Sequence, residues 1–199
     1  MSEQAHEERE AENGQVPQQQ QDQQLDFLSR ENIHVELTSA PLCITKVMNR
    51  IRSPKAGALV LFAGTTRDTF DDKPVAHLSY TAYTSRALAT MMSISEEILL
   101  KHGLLAICIV HRVGEVPIGE ESVLIAVAGK HRREAWHGGE EALERVKERV
   151  EVWKMERFVD GEGVWRSNRD GGVGVAVDGG GDEDGGDGGV KGGVEVKVD

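Results

Sequence analysis

The 199-residue chain is long enough for one domain with a sizeable core and short for two. Its net charge of −11 resides at the ends: residues 1–30 hold seven acids and two bases, residues 170–199 eight acids and two lysines, and the stretch between carries 19 charges of each sign. An acidic chain with a neutral middle excludes a protein that wraps nucleic acid. The longest apolar run, Leu104 to Val110, is far too short for a membrane-spanning helix.

Residues 1–30, with eight Gln, five Glu and two Asp, carry too little apolar surface to offset the entropy of ordering and are expected to form a disordered tail. They lack the basic-then-apolar and Arg-rich patterns of export and organelle signals, so a cytosolic location is expected. Ile33 to Leu37 reads as a strand and Thr45 to Ile51 as a short helix that ends before Pro54. Gly57 to Thr65, apolar on both faces, reads as a central strand. From Thr84, an expected N-cap, Leu88, Met91, Met92, Ile98 and Leu99 recur at helical spacing until Gly103 stops the pattern. Leu104 to Val110 and Ser122 to Val127 read as buried strands, joined across Gly114 to Gly119 by a turn or short hairpin extension.

A second long helix is predicted over Arg132 to Arg149, weakened by Gly138 and Gly139 at about 1 kcal/mol each relative to Ala. Val150 to Phe158 alternates as a final strand. Residues 170–199 contain 12 of the 23 glycines, the composition of a flexible solvated chain. The order of elements predicts one α+β domain over 31–169, its helices on one face of a mixed sheet. Trp136, Trp153 and Trp165 read as core or interface packing, and Cys108 as a buried small hydrophobe.

Three segments place cations at strand or helix ends. In Phe62 to Arg67 a buried strand ends at Gly64 and is followed by two hydroxyls and a guanidinium, which suit a phosphate or carboxylate. An ordinary strand-end turn with Arg67 paired to Asp68 accounts for the same residues. Lys130, His131, Arg132 and Arg133 open the second helix, where four basic groups oppose the helix dipole unless an anion binds. Simple surface coverage is the alternative there. Lys147 and Lys154 flank the end of that helix and the start of the final strand, with Trp153 beside the second. A lysine crowded by cations or set against an aromatic can serve as acid, base or nucleophile.

No HExxH pair, zinc-spaced Cys/His set, GxGxxG, phosphate-loop or GxSxG motif occurs, so neither a metal nor a nucleotide cofactor is implied. His111-Arg112 reads as a structural strand end.

Taken together, these segments resemble the large, catalytic subunits of molybdopterin synthases in a eukaryotic, fungal-like form. The likeness runs from about Gly57 to Asn168 and rests on Gly57 to Asp68 (GALVLFAGTTRD), Leu78 to Tyr83 (LSYTAY), Val110 to Glu120 (VHRVGEVPIGE), His131-Arg132, Val152 to Glu156 (VWKME) and Gly163 to Arg166 (GVWR). The family usually carries Glu where Thr81 stands, and an Ala- or Leu-rich helical stretch where Trp136 to Gly139 stands.

The resemblance implies an α/β hammerhead fold with added β structure. It implies an enzyme that installs two sulfurs on a cyclic pyranopterin monophosphate, making the dithiolene of molybdopterin. Sulfur would arrive as a thiocarboxylate on the C-terminal Gly-Gly of a small ubiquitin-like subunit, and two copies of this chain would form the centre of a heterotetramer. Arg67, His131 and Arg132 match the family's anion-pocket positions, and Lys147 and Lys154 its functional lysines. By this likeness Lys147 polarises the thiocarboxylate or its adduct and Lys154 transfers protons, while Met155 and Glu156 line the same edge. Glu156 would orient a lysine or a pterin N–H, and His131 and Arg132 would reach the pocket of the other protomer. Two other classes compete: a non-catalytic anion- or nucleotide-binding module, and a structural dimer that holds another subunit.

Overall fold

A computed structural model describes residues 26–167 and 175–177, which form two sheets with different companions. The five-stranded sheet runs in the order β1 (Asp26–Arg30), β2 (Ile33–Thr38), β6 (Ala106–Arg112), β8 (Glu121–Gly129) and β3 (Ala58–Thr65). Its β2–β6 pair is parallel and the other three are antiparallel; β3, expected as a central strand from its apolar residues, is an edge strand paired with β8 alone and is half-buried. Side chains alternate across a strand. Val35, Ile107, Ile109, Ile125 and Val127 therefore face the long helices α2 (Thr84–His102) and α3 (Arg132–Arg149), in the larger core. Cys108, Val110, Leu124 and Ala126 face the other way, onto Val47 and Ile51 of the short helix α1 (Ile44–Ile51).

The architecture is α+β, as expected. The two long helices share one face of the sheet, as expected, but α1 closes the opposite face, so the helices are not all on one side. Glu97 of α2 pairs with Arg145 and Arg149, and Glu141 of α3 pairs with Lys101 and His102. These contacts set the helices antiparallel.

Helix α3 passes through Gly138 and Gly139 without a break. A Cβ at Gly138 would lie 2.8 Å from Leu104 Cδ1, so the absence of a side chain lets the helix lie close to the link between α2 and β6. Gly103 ends α2 in the left-handed region at φ 61°, and the Leu104 N–H donates to the Leu99 carbonyl.

The second sheet runs β11 (Val175–Val177), β10 (Gly163–Ser167), β9 (Val152–Phe158), β5 (Lys73–Ala82), β4 (Thr69–Phe70), with β7 (Gly114–Pro117) also paired to β5. Much of it departs from the sequence reading. Pro74 and a register shift between Val75 and His77 interrupt the alternation of β5, which hides a ten-residue strand. Gly114 to Pro117 forms a strand of this sheet, so the chain leaves one sheet for the other between β6 and β8. Val150 to Phe158 is not the last strand, because β10 and β11 pair beyond it.

Two tail boundaries also shift. Asp26 to Arg30, expected in the disordered tail, pairs with β2; Phe27 lies against the His34 ring and Arg30 bonds Glu96. An edge strand satisfies its backbone on one side and needs little apolar burial of its own. Val175 to Val177, inside the expected C-terminal tail, pairs with β10 in the same way. The expectations for residues 1–25 and 178–199 lie outside the described residues. Trp136 and Trp153 are exposed rather than packed in the core, whereas Cys108 is fully buried and burial pushes its thiol up to about 12.

Candidate functional site

The site lies where the end of β3 meets β5, β9 and the last turns of α3. At Gly64 a Cβ would come 2.8 Å from Val123 Cγ1, so only glycine permits this approach to β8. The β3–β8 register shifts between Gly64 and Thr65, a bulge that redirects the chain. Beyond it Thr65 and Arg67 face a cavity of about 340 Å³, while Thr66 is buried with its hydroxyl donating to the Val116 carbonyl at 3.4 Å. Of the two hydroxyls in the first cationic segment, the turn thus presents one.

Lys147 reaches the same cavity from the last turn of α3, and Lys154 and Glu156 reach it from β9. Strand alternation puts Lys154 and Glu156 on one face and Met155 on the other. Met155 is buried beside Gly163 and does not line the cavity, contrary to the expectation from adjacency.

Glu156 is 1% exposed. A carboxylate so buried is tolerable when paired, and it has two partners. Lys154 Nζ lies 3.2 Å from Oε1, and Arg166 Nε donates to Oε2 at 3.2 Å. The aromatic group on Lys154 is Phe70, 5.7 Å from Nζ to the ring centroid, and not Trp153, which alternation sends to the opposite face.

Behind the lysines lies a buried wall of Tyr80, His111 and Ser122. Tyr80 is the cross-strand neighbour of Lys154, and burial pushes its phenol up, so it remains a neutral O–H. Ser122 shares this wall, and its O–H donates to the Gly64 carbonyl at 3.2 Å. His111 donates from Nδ1 to the Arg112 carbonyl at 2.8 Å and meets Tyr80 edge-on at 5.1 Å. Burial holds the imidazole down to about 4, which makes it neutral at physiological pH. The strand-end reading of His111 is therefore incomplete, because the ring also lines the cavity.

His131 and Arg132 are not part of this cavity within one chain. They stand exposed at the start of α3, and Lys147 lies near its end. At 1.5 Å per residue the helix separates them by about 24 Å.

Phe70, Tyr80, Ser122 and Arg166 were not singled out from sequence as site residues. Tyr80 and Arg166 lie within the LSYTAY and GVWR motifs, but nothing in Thr69-Phe70 marks a site. Their convergence depends on cross-strand register. What results is a cavity walled by Arg67 from the turn after β3 and by Lys147 and Lys154 from the end of α3 and the adjoining β9, with one buried carboxylate and a neutral phenol and imidazole. That set can hold an anion and exchange protons.

The MoaE protein family matches residues 37–149. The molybdopterin synthase catalytic subunit of Neurospora crassa is 59% identical over 152 residues, covering 76% of this chain and 74% of its own. That of Pyrenophora tritici-repentis is 52% identical over 167 residues, covering 84% and 87%. The crystal structure of molybdopterin synthase from Staphylococcus aureus superposes with a TM-score of 0.62 at 34% identity, covering 65% of this chain and 94% of that one.

Proposed function

The chain belongs to the MoaE protein family, and from that premise we propose how its cavity performs the family's sulfur transfer. Its activity is that of a molybdopterin synthase catalytic subunit, a sulfurtransferase of molybdenum cofactor biosynthesis. The non-catalytic and purely structural readings give way to this one. The substrate is a cyclic pyranopterin monophosphate, and the sulfur donor is the C-terminal Gly-Gly thiocarboxylate of a small ubiquitin-like subunit.

The observation that carries the reading is the convergence of Arg67, Lys147 and Lys154 on one cavity beside a buried Glu156. Arg67 and Lys147 hold the anionic groups, since a fixed cation in a partly dry cavity stabilises charge more than water does. Lys147 polarises the thiocarboxylate or its adduct. Lys154 moves protons at the ring carbons where sulfur adds, and Glu156 orients it through Oε1. His131 and Arg132, remote from the cavity of their own chain, complete the phosphate grip from a second copy of the chain, within a heterotetramer. Residues 31–169, extended at the start by β1, form the domain that acts. Among the described residues no helix is long and apolar enough to cross a membrane, and the reaction is assigned to the cytosol.

The test is reconstitution with a thiocarboxylated small subunit and the cyclic pterin, followed by an assay for dithiolene. Lys147→Ala is expected to lose conversion while still binding the small subunit. Normal turnover by that variant would overturn the reading.

A further inference from the structure

Strand β4 has two residues, Thr69 and Phe70, joined to β5 through Asp71 and Asp72. Both aspartates are left-handed, at φ 47° and 61°, as a tight two-residue hairpin turn requires. The hairpin is tied down at its base. Val75 N–H donates to the Asp68 carbonyl at 2.8 Å, and Lys73 Nζ donates to Glu162 at 3.0 Å while lying 5.5 Å from the Phe158 ring centroid. So fixed, it presents Phe70 to the cavity wall.

The Phe70 ring there meets two cations. The Arg166 guanidinium carbon is 4.7 Å from its centroid and Lys154 Nζ is 5.7 Å away. The same two side chains hold the two oxygens of Glu156. One ring and one carboxylate thus share both cations. A lysine on a four-carbon stem and a single ion pair still samples several rotamers. A second, ring-face contact removes much of that freedom.

We propose that Phe70 is a positioning residue for Lys154: its ring face and Glu156 together hold Nζ at the cavity wall, and Arg166 locks ring and carboxylate to each other. The function assigned to that placement rests on the transfer role of Lys154 proposed above; the placement itself does not. Because the ring acts through its π face, an aromatic replacement preserves the effect and an aliphatic one of similar size abolishes it.

The test uses the full chain with ¹³C-labelled lysine, the Lys154 side-chain signals being assigned by their loss in Lys154→Arg. Those signals are expected to show an upfield ring-current shift that persists in Phe70→Tyr and vanishes in Phe70→Leu. In the reconstituted complex, Phe70→Leu should lower kcat roughly 5- to 10-fold with KM for the pterin changed less than about twofold, and Phe70→Tyr should restore it. Lys154 signals that do not move in Phe70→Leu would overturn the placement, and a Phe70→Leu enzyme with full kcat would overturn its role. If Lys154→Ala proved fully active, the transfer reading would fail on its own account while the signal shift still decided the placement.

Discussion

Glu36 in the five-stranded sheet and Glu156 in the second sheet are both buried carboxylates with cations against them. Glu36 accepts from His34 Nε2 at 2.9 Å and Lys46 Nζ at 3.3 Å, with Arg50 at 3.7 Å; Glu156 has Lys154 and Arg166. Around Glu36 the cluster is closed by its own partners. Ser29 Oγ donates to His34 Nδ1 at 2.6 Å, and the two half-exposed cations of α1, Lys46 and Arg50, complete the set. Burial pushes the Glu36 carboxyl up, but the His34 hydrogen bond and the Lys46 charge more than offset it and hold it below the usual range. Around Glu156 one side is open, because Lys154 and Glu156 also line a cavity that Arg67 and Lys147 share. A buried ion cluster therefore does not mark a functional site; a cluster with one face on a cavity does.

The sharpest way to break this comparison is to remove one lysine from each cluster. Lys154→Ala should reduce dithiolene formation by about 10²- to 10⁴-fold, the usual weight of a positioned proton-transfer group, whereas Lys46→Ala should leave turnover within about twofold. Equal losses in the two variants, measured in the reconstituted complex, would dissolve the distinction.

Removing the closed cluster's anion tests its structural role. Glu36→Ala leaves the buried His34 N–H without its acceptor while Lys46 and Arg50, half-exposed, turn to water, and it should cost about 1–3 kcal/mol in denaturant unfolding, with the specific activity of the folded fraction retained. A larger loss of activity than of stability would place Glu36 in the chemistry.

His111 supplies a pH-dependent effect of similar size. Unfolded, its imidazole takes up a proton near pH 6.5; folded and buried, only near pH 4. Between those values the unfolded state binds more protons, so stability falls as pH drops, by about 3 kcal/mol across the window, and is fully present above pH 6.5. His34, also lowered chiefly by burial, adds to the same slope. Denaturant midpoints measured from pH 7 to pH 4 should flatten in His111→Gln; an unchanged slope would remove His111 as its source.

The smallest expected effect concerns the helix that carries Lys147. At Gly139 an added Cβ meets Val127 and Val60 at 3.5 Å, ordinary contact, so Gly139→Ala should gain roughly 0.5–1 kcal/mol of helix propensity. At Gly138 the Cβ would press on Leu104 at 2.8 Å, and repacking that core residue should cancel the gain. Thermal melts that ranked the two variants the other way would contradict the close approach of α3 to Leu104.

Local pattern made much of the scaffold legible. The spacing of Leu88, Met91, Met92, Ile98 and Leu99 and the stop at Gly103 outline α2, and the continuous apolar stretches of β6 and β8 mark strands buried on both faces, whereas the equally apolar β3 lies half-buried at the sheet edge. The boundaries of α3 were legible as well, although the two glycines read as a weakness when they are a packing requirement. The second sheet was largely hidden. A bulge and a proline disguise β5, β4 is two residues long, and β7 lies in a stretch whose glycines read as a turn.

The order of residues by itself determined the periodic elements and three clusters of positive charge, because both are short-range properties, set by the 3.6- and 2-residue repeats and by neighbours along the chain. Which of those charges share a cavity was decided only in three dimensions. The antiparallel register that sets Tyr80 beside Lys154 and Leu78 beside Glu156 joins residues more than 70 positions apart, and the length of α3 carries His131 and Arg132 away from Lys147. Register and helix length act across the whole domain, and pairing at that range depends on how every intervening element packs.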